Sequence, residues 1–123
     1  MPEEKKFIVI FEDNATISLI LKFFFQKRGF SPLIFGDGTD AAKLVREHAP
    51  VLIMMDMLMP GMDGIEACQE IRREGISTPI MVLTSKDSAA DRERALAAGA
   101  NAYMLKPFNT AALEAAIKPL LAL

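Results

Sequence analysis

Asp56 directly follows an apolar run at residues 51–55 and is the first sign of chemistry in this sequence. A short continuous apolar run of this kind is typical of a buried β-strand. Ligands of open parallel sheets bind where the strand carboxyl ends meet. Three further apolar runs also stop at polar side chains, namely Glu12 with Asp13, Thr84 with Ser85, and Lys106. The sequence therefore predicts a site of carboxylates, hydroxyls and one ammonium, a set that can hold a divalent cation and a phosphoryl group.

Three neighbouring carboxylates favour a metal site, because crowded like charges raise one another's pKa unless a cation neutralises them. Mg²⁺ fits, since it takes few protein oxygens and readily adds phosphate oxygens. The backbone carbonyl of Leu58, in the loop after Asp56, is the best placed for one more ligand. Taken alone, the acids could equally cap the next helix, and Lys106 could lie in a solvated loop. Beside three acids, Lys106 could instead hold a phosphoryl oxygen as a point charge.

Composition sets broad limits on the function. The chain has 123 residues and a net charge of −2, with scattered basic residues, which gives no reason to expect nucleic acid as a ligand. The single cysteine, Cys68, cannot form an internal disulfide and suits a reducing cytosol. No apolar stretch approaches the ~20 residues that span a membrane, and the N-terminus does not resemble a signal peptide. We expect a cytoplasmic protein without membrane association.

Apolar runs alternate with helical segments and turn residues along the chain. This alternation predicts an α/β fold in which helices cover both faces of a parallel sheet, within a single domain at residues 1–123. Asn14 should cap the first helix, Asp87 or Ser88 the fourth, and the last helix should end or kink near Pro119. The predicted strands lie at about 6–11, 31–35, 51–55, 79–83 and 101–105, and the predicted helices at about 15–28, 39–48, 64–74, 88–99 and 110–118.

Four motifs together resemble the receiver domain of two-component response regulators. They are residues 11–14, Asp56 with residues 59–64, residues 84–85 and residues 106–108. The resemblance covers essentially the whole chain. It implies a flavodoxin-like (βα)5 three-layer sandwich with strand order 2-1-3-4-5. It also implies that Asp56 accepts a phosphoryl group from a phosphohistidine of a sensor histidine kinase or a histidine phosphotransfer protein.

The resemblance further assigns metal-binding roles by position. Asp13, the Asp56 carboxylate and the Leu58 backbone carbonyl would bind Mg²⁺ directly, and Glu12 would do so directly or through a water. The first acid is more commonly Asp in this family, so the longer Glu12 leaves its direct role open.

The remaining implied roles concern signalling. Lys106 would pair first with Asp56 and then with the phosphoryl oxygens. Thr84 would hydrogen-bond the phosphoryl group, and Tyr103 would be the switch aromatic that turns inward. The surface of the fourth helix, fifth strand and fifth helix would change and control an unknown downstream protein. We expect a monomer and leave phosphorylation-dependent dimerisation open.

The first helix carries more apolar residues than one core-facing stripe needs. Its predicted core face consists of Ile17, Ile20, Leu21 and Phe24. Leu19 and Phe23 lie off that stripe. They indicate either a wide buried face or an exposed patch that docks a kinase helix pair.

Two other classes of function are open to such a sequence. A Mg²⁺-dependent phosphohydrolase of the haloacid dehalogenase type needs a second Asp two residues after the nucleophile, where this chain has Leu58. A receiver-like interaction module that is never phosphorylated would not need the acid, hydroxyl and lysine set. Leu58 and Lys86 stand where the receiver family tunes loss of the phosphoryl group, and the apolar Leu58 predicts slow self-hydrolysis.

Overall fold

The computed structural model describes residues 5–59, 61–85 and 88–122. Pro60, Lys86 and Asp87 lie outside the described residues, and so do the predictions that concern Lys86 and the alternative cap Asp87. Five parallel strands form the main sheet: β1 (Phe7–Phe11), β2 (Ser31–Phe35), β3 (Leu52–Asp56), β6 (Ile80–Thr84) and β7 (Ala102–Leu105). A short antiparallel hairpin, β4 (Leu58–Met59) and β5 (Met62–Asp63), follows β3.

The strand order in the main sheet is β2-β1-β3-β6-β7. With the two hairpin strands set aside, this is the predicted order 2-1-3-4-5. All four neighbouring pairs are parallel. The flavodoxin-like fold expected from the sequence is therefore confirmed. No helix among the described residues is long and apolar enough to cross a membrane.

The described residues form five helices: α1 (Ala15–Lys27), α2 (Ala41–His48), α3 (Gly64–Arg73), α4 (Ala89–Ala97) and α5 (Thr110–Leu121). The first four connect strands, and α5 follows β7. Polar side chains cap four of these helices, and the caps Asn14 and Ser88 were predicted. Asp63 caps α3 by accepting a hydrogen bond from the backbone N–H of Ile65. Asn14 accepts a hydrogen bond from the backbone N–H of Ile17, and Ser88 and Asn109 make the equivalent bond in α4 and α5. These caps satisfy donors that a helix N-terminus otherwise leaves unpaired.

Helices lie on both faces of the sheet and bury it. Alternate strand residues point to opposite faces, so Val9 and Phe11 pack with α2, α3 and α4, whereas Ile8 and Ile10 pack with α1 and α5. Strands β3 and β6 are buried along their whole length. The sheet is thus rigid at its centre, where the strands that lead to Asp56 and Thr84 lie.

One prediction of local structure is wrong, and two other segments refine the sequence prediction. Ile20 is exposed, because the buried face of α1 is centred on Leu21, Phe24 and Phe25 instead. Helix α5 continues through Pro119 to Leu121. A proline this close to the helix end removes only one of the last backbone hydrogen bonds. The short hairpin β4–β5 forms in the loop that follows Asp56.

Arg72 of α3 links the chain segments at the amino ends of strands β6 and β7. Its guanidinium donates hydrogen bonds to the carbonyl oxygens of Ile76, Thr78 and Gly99 and to Oδ1 of Asn101, at 2.7–3.1 Å. Asn101 Oδ1 also accepts from the N–H of Ile80, where β6 begins. This Arg72 clasp satisfies carbonyl groups at the ends of two helices.

Ala49 supplies a test of local backbone strain. It follows α2 with φ 46° and ψ 57°, the left-handed conformation that favours glycine at a helix end. We expect Ala49→Gly to stabilise the fold by about 0.5–1 kcal/mol, because glycine adopts this conformation without the steric cost of a Cβ. Urea unfolding followed by circular dichroism measures the change.

The matched control is Ala115→Gly at an exposed position inside α5. There the same substitution should destabilise the fold by about 1 kcal/mol, because glycine is a poor helix former. An equal loss of stability in both variants would contradict backbone strain at Ala49.

Candidate phosphoacceptor site

The four strand ends bring the predicted residues to one edge of the sheet. Glu12 follows β1 directly, Asp56 and Thr84 end β3 and β6, and Lys106 follows β7. Strands β3 and β6 end at nearly the same height in the sheet, because Asp56 pairs with Leu83, the residue before Thr84. The backbone N–H of Lys106 donates to the Thr84 carbonyl at 2.7 Å, which fixes the start of the Lys106 loop.

Lys106 reaches across the sheet edge to two carboxylates. Its Nζ lies 2.6 Å from Glu12 Oε1 and 3.1 Å from Asp56 Oδ2. The Glu12 side chain is fully buried, and the side chains of Lys106 and Asp56 are only 13% and 10% exposed. The peptide bond between Lys106 and Pro107 is cis. One ammonium therefore serves two acids in a poorly solvated place.

The third acid, Asp13, is exposed at the same edge. Carboxylate oxygens of Glu12, Asp13 and Asp56 lie within 4.8 Å of one another. Among the residues that the structure describes here, three carboxylates face one nearby ammonium, so negative charge is left uncompensated. A hard divalent cation bound by oxygen ligands fits this set.

The protonation equilibria of the central pair depend on burial and on each other. Burial raises the pKa of the Glu12 carboxyl, and hydrogen bonds from Lys106 and from the N–H of Asn14 only partly offset this effect. Burial also tends to lower the pKa of Lys106, but its hydrogen bonds to Glu12 and Asp56 outweigh that tendency and hold the pKa above its usual value. Lys106 is accordingly a permanent cation at neutral pH.

The loop after Asp56 is held close to the acids. The N–H of Leu58 donates to Asp56 Oδ1 at 3.3 Å, and the N–H of Gly64 donates to the Met57 carbonyl at 2.9 Å. A Cβ at Gly64 would lie 2.5 Å from the backbone oxygen of Asp56. The glycine therefore lets α3 begin against the end of β3. The Leu58 side chain is 61% exposed.

Thr84 and Tyr103 lie on neighbouring strands and on the same face of the sheet. Thr84 is buried at the end of β6. Tyr103 is half-buried opposite Val82, and its ring packs at the edge of the cluster that α4 covers. The Arg92 guanidinium of α4 lies 5.3 Å from the centre of the Tyr103 ring. The face of the sheet that carries Thr84 and Tyr103 therefore extends from the acids to α4.

A cavity of about 490 Å³ opens beside the acids. Its polar wall includes Glu12, Asp13, Asp56 and Lys106, all of them predicted from the sequence. Its apolar wall is formed by Ile17, Ile20, Pro107 and Phe108. Ile17 also packs against the core, as predicted, whereas the sequence pattern did not predict that Ile20 lines a cavity. The position of Ile20 at the border of the apolar stripe of α1 was the available signal.

Residues 8–118 match the sequence pattern of the response regulator receiver domain. The chain belongs to this family. Receiver domains bind Mg²⁺ in an acidic pocket, accept phosphoryl groups as regulatory domains, and interact with histidine kinases and downstream effectors.

Solved structures agree with this assignment. The chain is similar to the BeF3-activated N-terminal receiver domain of Klebsiella pneumoniae RstA, with 28% identity, a TM-score of 0.88, and 96% of this chain and 100% of that one covered. It is similar to Vibrio cholerae chemotaxis protein CheY4, with 25% identity, a TM-score of 0.87, and the same coverages of 96% and 100%. A LuxR-family DNA-binding response regulator of Staphylococcus aureus matches with 27% identity and a TM-score of 0.85, covering 94% of this chain and 98% of that one.

Gly64 offers a test of how tightly the loop packs on the site. We expect Gly64→Ala to destabilise the fold by roughly 1–3 kcal/mol, because the new methyl group meets backbone atoms of Asp56 and Met57 that cannot rotate away. Gly36→Ala is the matched control, since nothing lies within 4 Å of a Cβ built there. Chemical unfolding of both variants measures the difference, and equal stabilities would contradict the close packing.

Proposed function

We propose that Asp56 is the phosphoacceptor of a signalling switch that takes its phosphoryl group from a phosphohistidine. The donor would be a sensor histidine kinase or a histidine phosphotransfer protein. The observation that carries the proposal is the Lys106 ammonium, held 3.1 Å from a nearly buried Asp56 with two further acids beside it. The family assignment supports the same reaction. We place this single receiver domain, residues 1–123, in the cytoplasm, in keeping with its buried free thiol at Cys68.

The transfer is a substitution at phosphorus. An Asp56 oxygen forms the new P–O bond while the P–N bond of the phosphohistidine breaks, and the released imidazole takes up a proton. Negative charge spreads over the phosphoryl oxygens in a loose, in-line transition state, so positioning and charge stabilisation supply most of the rate. Lys106 is placed to stabilise that charge, and the N–H of Leu58 already donates to Asp56 Oδ1.

The acids fit the Mg²⁺ that receiver domains bind. Asp13, Asp56 and the Leu58 backbone carbonyl would hold the ion, with Glu12 contributing directly or through a water. When bound, Mg²⁺ supplies positive charge that offsets the acids and the incoming phosphoryl oxygens. Asp13 is exposed and is free to turn toward such an ion, whereas both oxygens of Glu12 already face groups of the protein.

The switch would run from Thr84 to Tyr103. A phosphorylated side chain carries roughly −1.5 to −2 charges and strong acceptor oxygens, to which the Thr84 hydroxyl can donate. A shift of Thr84 changes the space beside the half-buried Tyr103 on the same face, and the ring can turn inward. The surface of α4, β7 and α5 would then favour one of two states for a downstream protein, with a coupling of about 1–3 kcal/mol.

An exposed apolar patch on α1 suits a kinase or phosphotransfer helix pair. The patch consists of Leu19, Ile20 and Phe23, which are 52%, 43% and 61% exposed. Ile20 also lines the cavity beside Asp56, so the patch is continuous with the acceptor site. Clustered exposed apolar residues of this kind typically mark a protein-binding surface.

The acceptor role is tested with acetyl phosphate and Mg²⁺. We expect intact mass spectrometry to show the addition of one phosphoryl group to the wild-type chain, and its loss in Asp56→Asn and after EDTA treatment. Lys106→Met should slow the reaction by at least tenfold, because the phosphoryl oxygens lose their cation. Asp37→Asn, which alters an exposed carboxylate of another loop, is the control and should react normally.

Two results would contradict this proposal. A wild-type chain that never gains mass would favour an interaction module that is not phosphorylated. Steady turnover of many phosphomonoesters without an adduct would favour a phosphohydrolase of the haloacid dehalogenase type.

The α1 patch is tested with a histidine kinase that phosphorylates the wild-type chain. Phe23→Ala should slow transfer from the kinase by about tenfold at low receiver concentration, because buried aromatic contacts often contribute more than 1 kcal/mol to binding. Its reaction with acetyl phosphate should stay unchanged. Leu96→Ala removes another exposed apolar side chain, on α4 across the sheet, and serves as control. Unchanged transfer from the kinase in Phe23→Ala would exclude the patch from docking.

A further inference from the structure

We propose that the cavity beside Asp56 holds the acyl group of a small acyl phosphate, and that donors with a longer apolar chain than acetyl phosphate phosphorylate this chain faster. The inference rests on the function proposed above and names a substrate class for the same site. The selectivity would come from the apolar wall of the cavity, which consists of Ile17, Ile20, Pro107 and Phe108.

The cavity combines a charged wall with an apolar wall. Asp56 and Lys106 both line it, and the Lys106 ammonium lies 3.1 Å from Asp56 Oδ2. A phosphoryl group that reacts with Asp56 must therefore lie against the charged wall. The volume of about 490 Å³ falls within the range of small-molecule sites, about 300–1,000 Å³, and leaves room for more than a phosphoryl group.

Two segments that flank the acids build the apolar wall. Ile17 and Ile20 lie three residues apart on α1 and so face the same side of the helix. Asn14 fixes the start of this helix, because its Oδ1 accepts from the N–H of Ile17 at 2.9 Å. Pro107 and Phe108 come from the loop before α5. Ile17 and Phe108 also pack against the core, so this part of the wall is held in place.

The direction of the transfer places the leaving group inside the cavity. An Asp56 oxygen forms the new P–O bond while the bond from phosphorus to the bridging acyl oxygen breaks, and the electron pair stays on the departing carboxylate. Attack and departure are in line, so the leaving group points away from Asp56 and from the buried strand β3. A protein donor brings its own docking surface, whereas a free acyl phosphate has only the walls of the cavity to contact.

Burial of the acyl chain sets the size of the preference. Each methylene group removed from water favours binding about fourfold. Butyryl phosphate has two more methylene groups than acetyl phosphate, and Ile20, at 43% exposure, leaves the wall partly open to solvent. We therefore expect a gain of about fourfold, below the roughly 15-fold that complete burial would give. Acetate and butyrate are leaving groups of nearly equal basicity, so the gain measures contacts rather than intrinsic reactivity.

The preference is tested with acetyl and butyryl phosphate at equal concentrations well below saturation, with saturating Mg²⁺. Intact mass spectrometry follows the phosphorylated fraction over time and gives the ratio of the two rates. We expect butyryl phosphate to react about fourfold faster with the wild-type chain, and Ile20→Ser, which places a hydroxyl in the apolar wall, to reduce this ratio at least twofold. Leu96→Ser removes an exposed apolar side chain of α4 outside the cavity and should keep the wild-type ratio.

Binding without transfer is measured with oxoalkylphosphonates, in which a methylene group replaces the bridging oxygen of acetyl and butyryl phosphate. NMR titration in Mg²⁺ should show about fourfold tighter binding of the longer analogue to the wild-type chain. The backbone amide signals of Ile17, Ile20 and Phe108 should shift more with the longer analogue than with the shorter one.

The outcomes separate this proposal from the proposed function. Equal rates with the two donors, slower transfer from butyryl phosphate, or an unchanged ratio in Ile20→Ser overturns the apolar subsite and leaves Asp56 as the acceptor. A wild-type chain that reacts with neither donor overturns both. A preference for butyryl phosphate that Ile20→Ser reduces and Leu96→Ser does not supports the acyl-binding role of the cavity.

Discussion

The balance of charge around Lys106 governs the whole site. Two nearly buried carboxylates, Glu12 and Asp56, share this one ammonium, and Asp13 adds a third negative charge at the solvent edge. Burial raises the free-energy cost of the charges on Glu12, Asp56 and Lys106, and the contacts of the ammonium with the two carboxylates offset that cost. An arrangement with more acid than base is poised to accept a metal cation, and the same ammonium is available to an incoming phosphoryl group.

The parallel sheet is what brings these charges together. Glu12 and Lys106 lie far apart in sequence and on strands that are not neighbours, yet both strands end at the same edge. Asp56 lies between them at the end of a strand that is buried on both faces. Because β3 and β6 are buried along their whole length, the backbone that carries Asp56 and Thr84 is held in place by the core.

The fold and the candidate site residues could be predicted from the sequence, because both depend on local patterns. Apolar runs of strand length predicted the sheet, and the polar residue after each run predicted the strand ends where the site lies. The contact between Lys106 and Glu12 could not be predicted from these patterns, since it depends on how far the two side chains reach across two intervening strands. The exposure of Ile20 was missed for a related reason, because an apolar residue at the border of a helical stripe can face either the core or solvent.

The Arg72 clasp has a consequence for how signals can travel through this domain. It fastens the ends of α3 and α4 and the starts of β6 and β7 at the edge opposite the acids. Under the proposed function, a displacement caused by phosphorylation of Asp56 would be largest near the phosphoryl group and smaller at the clasp, and α4 would turn about its anchored end.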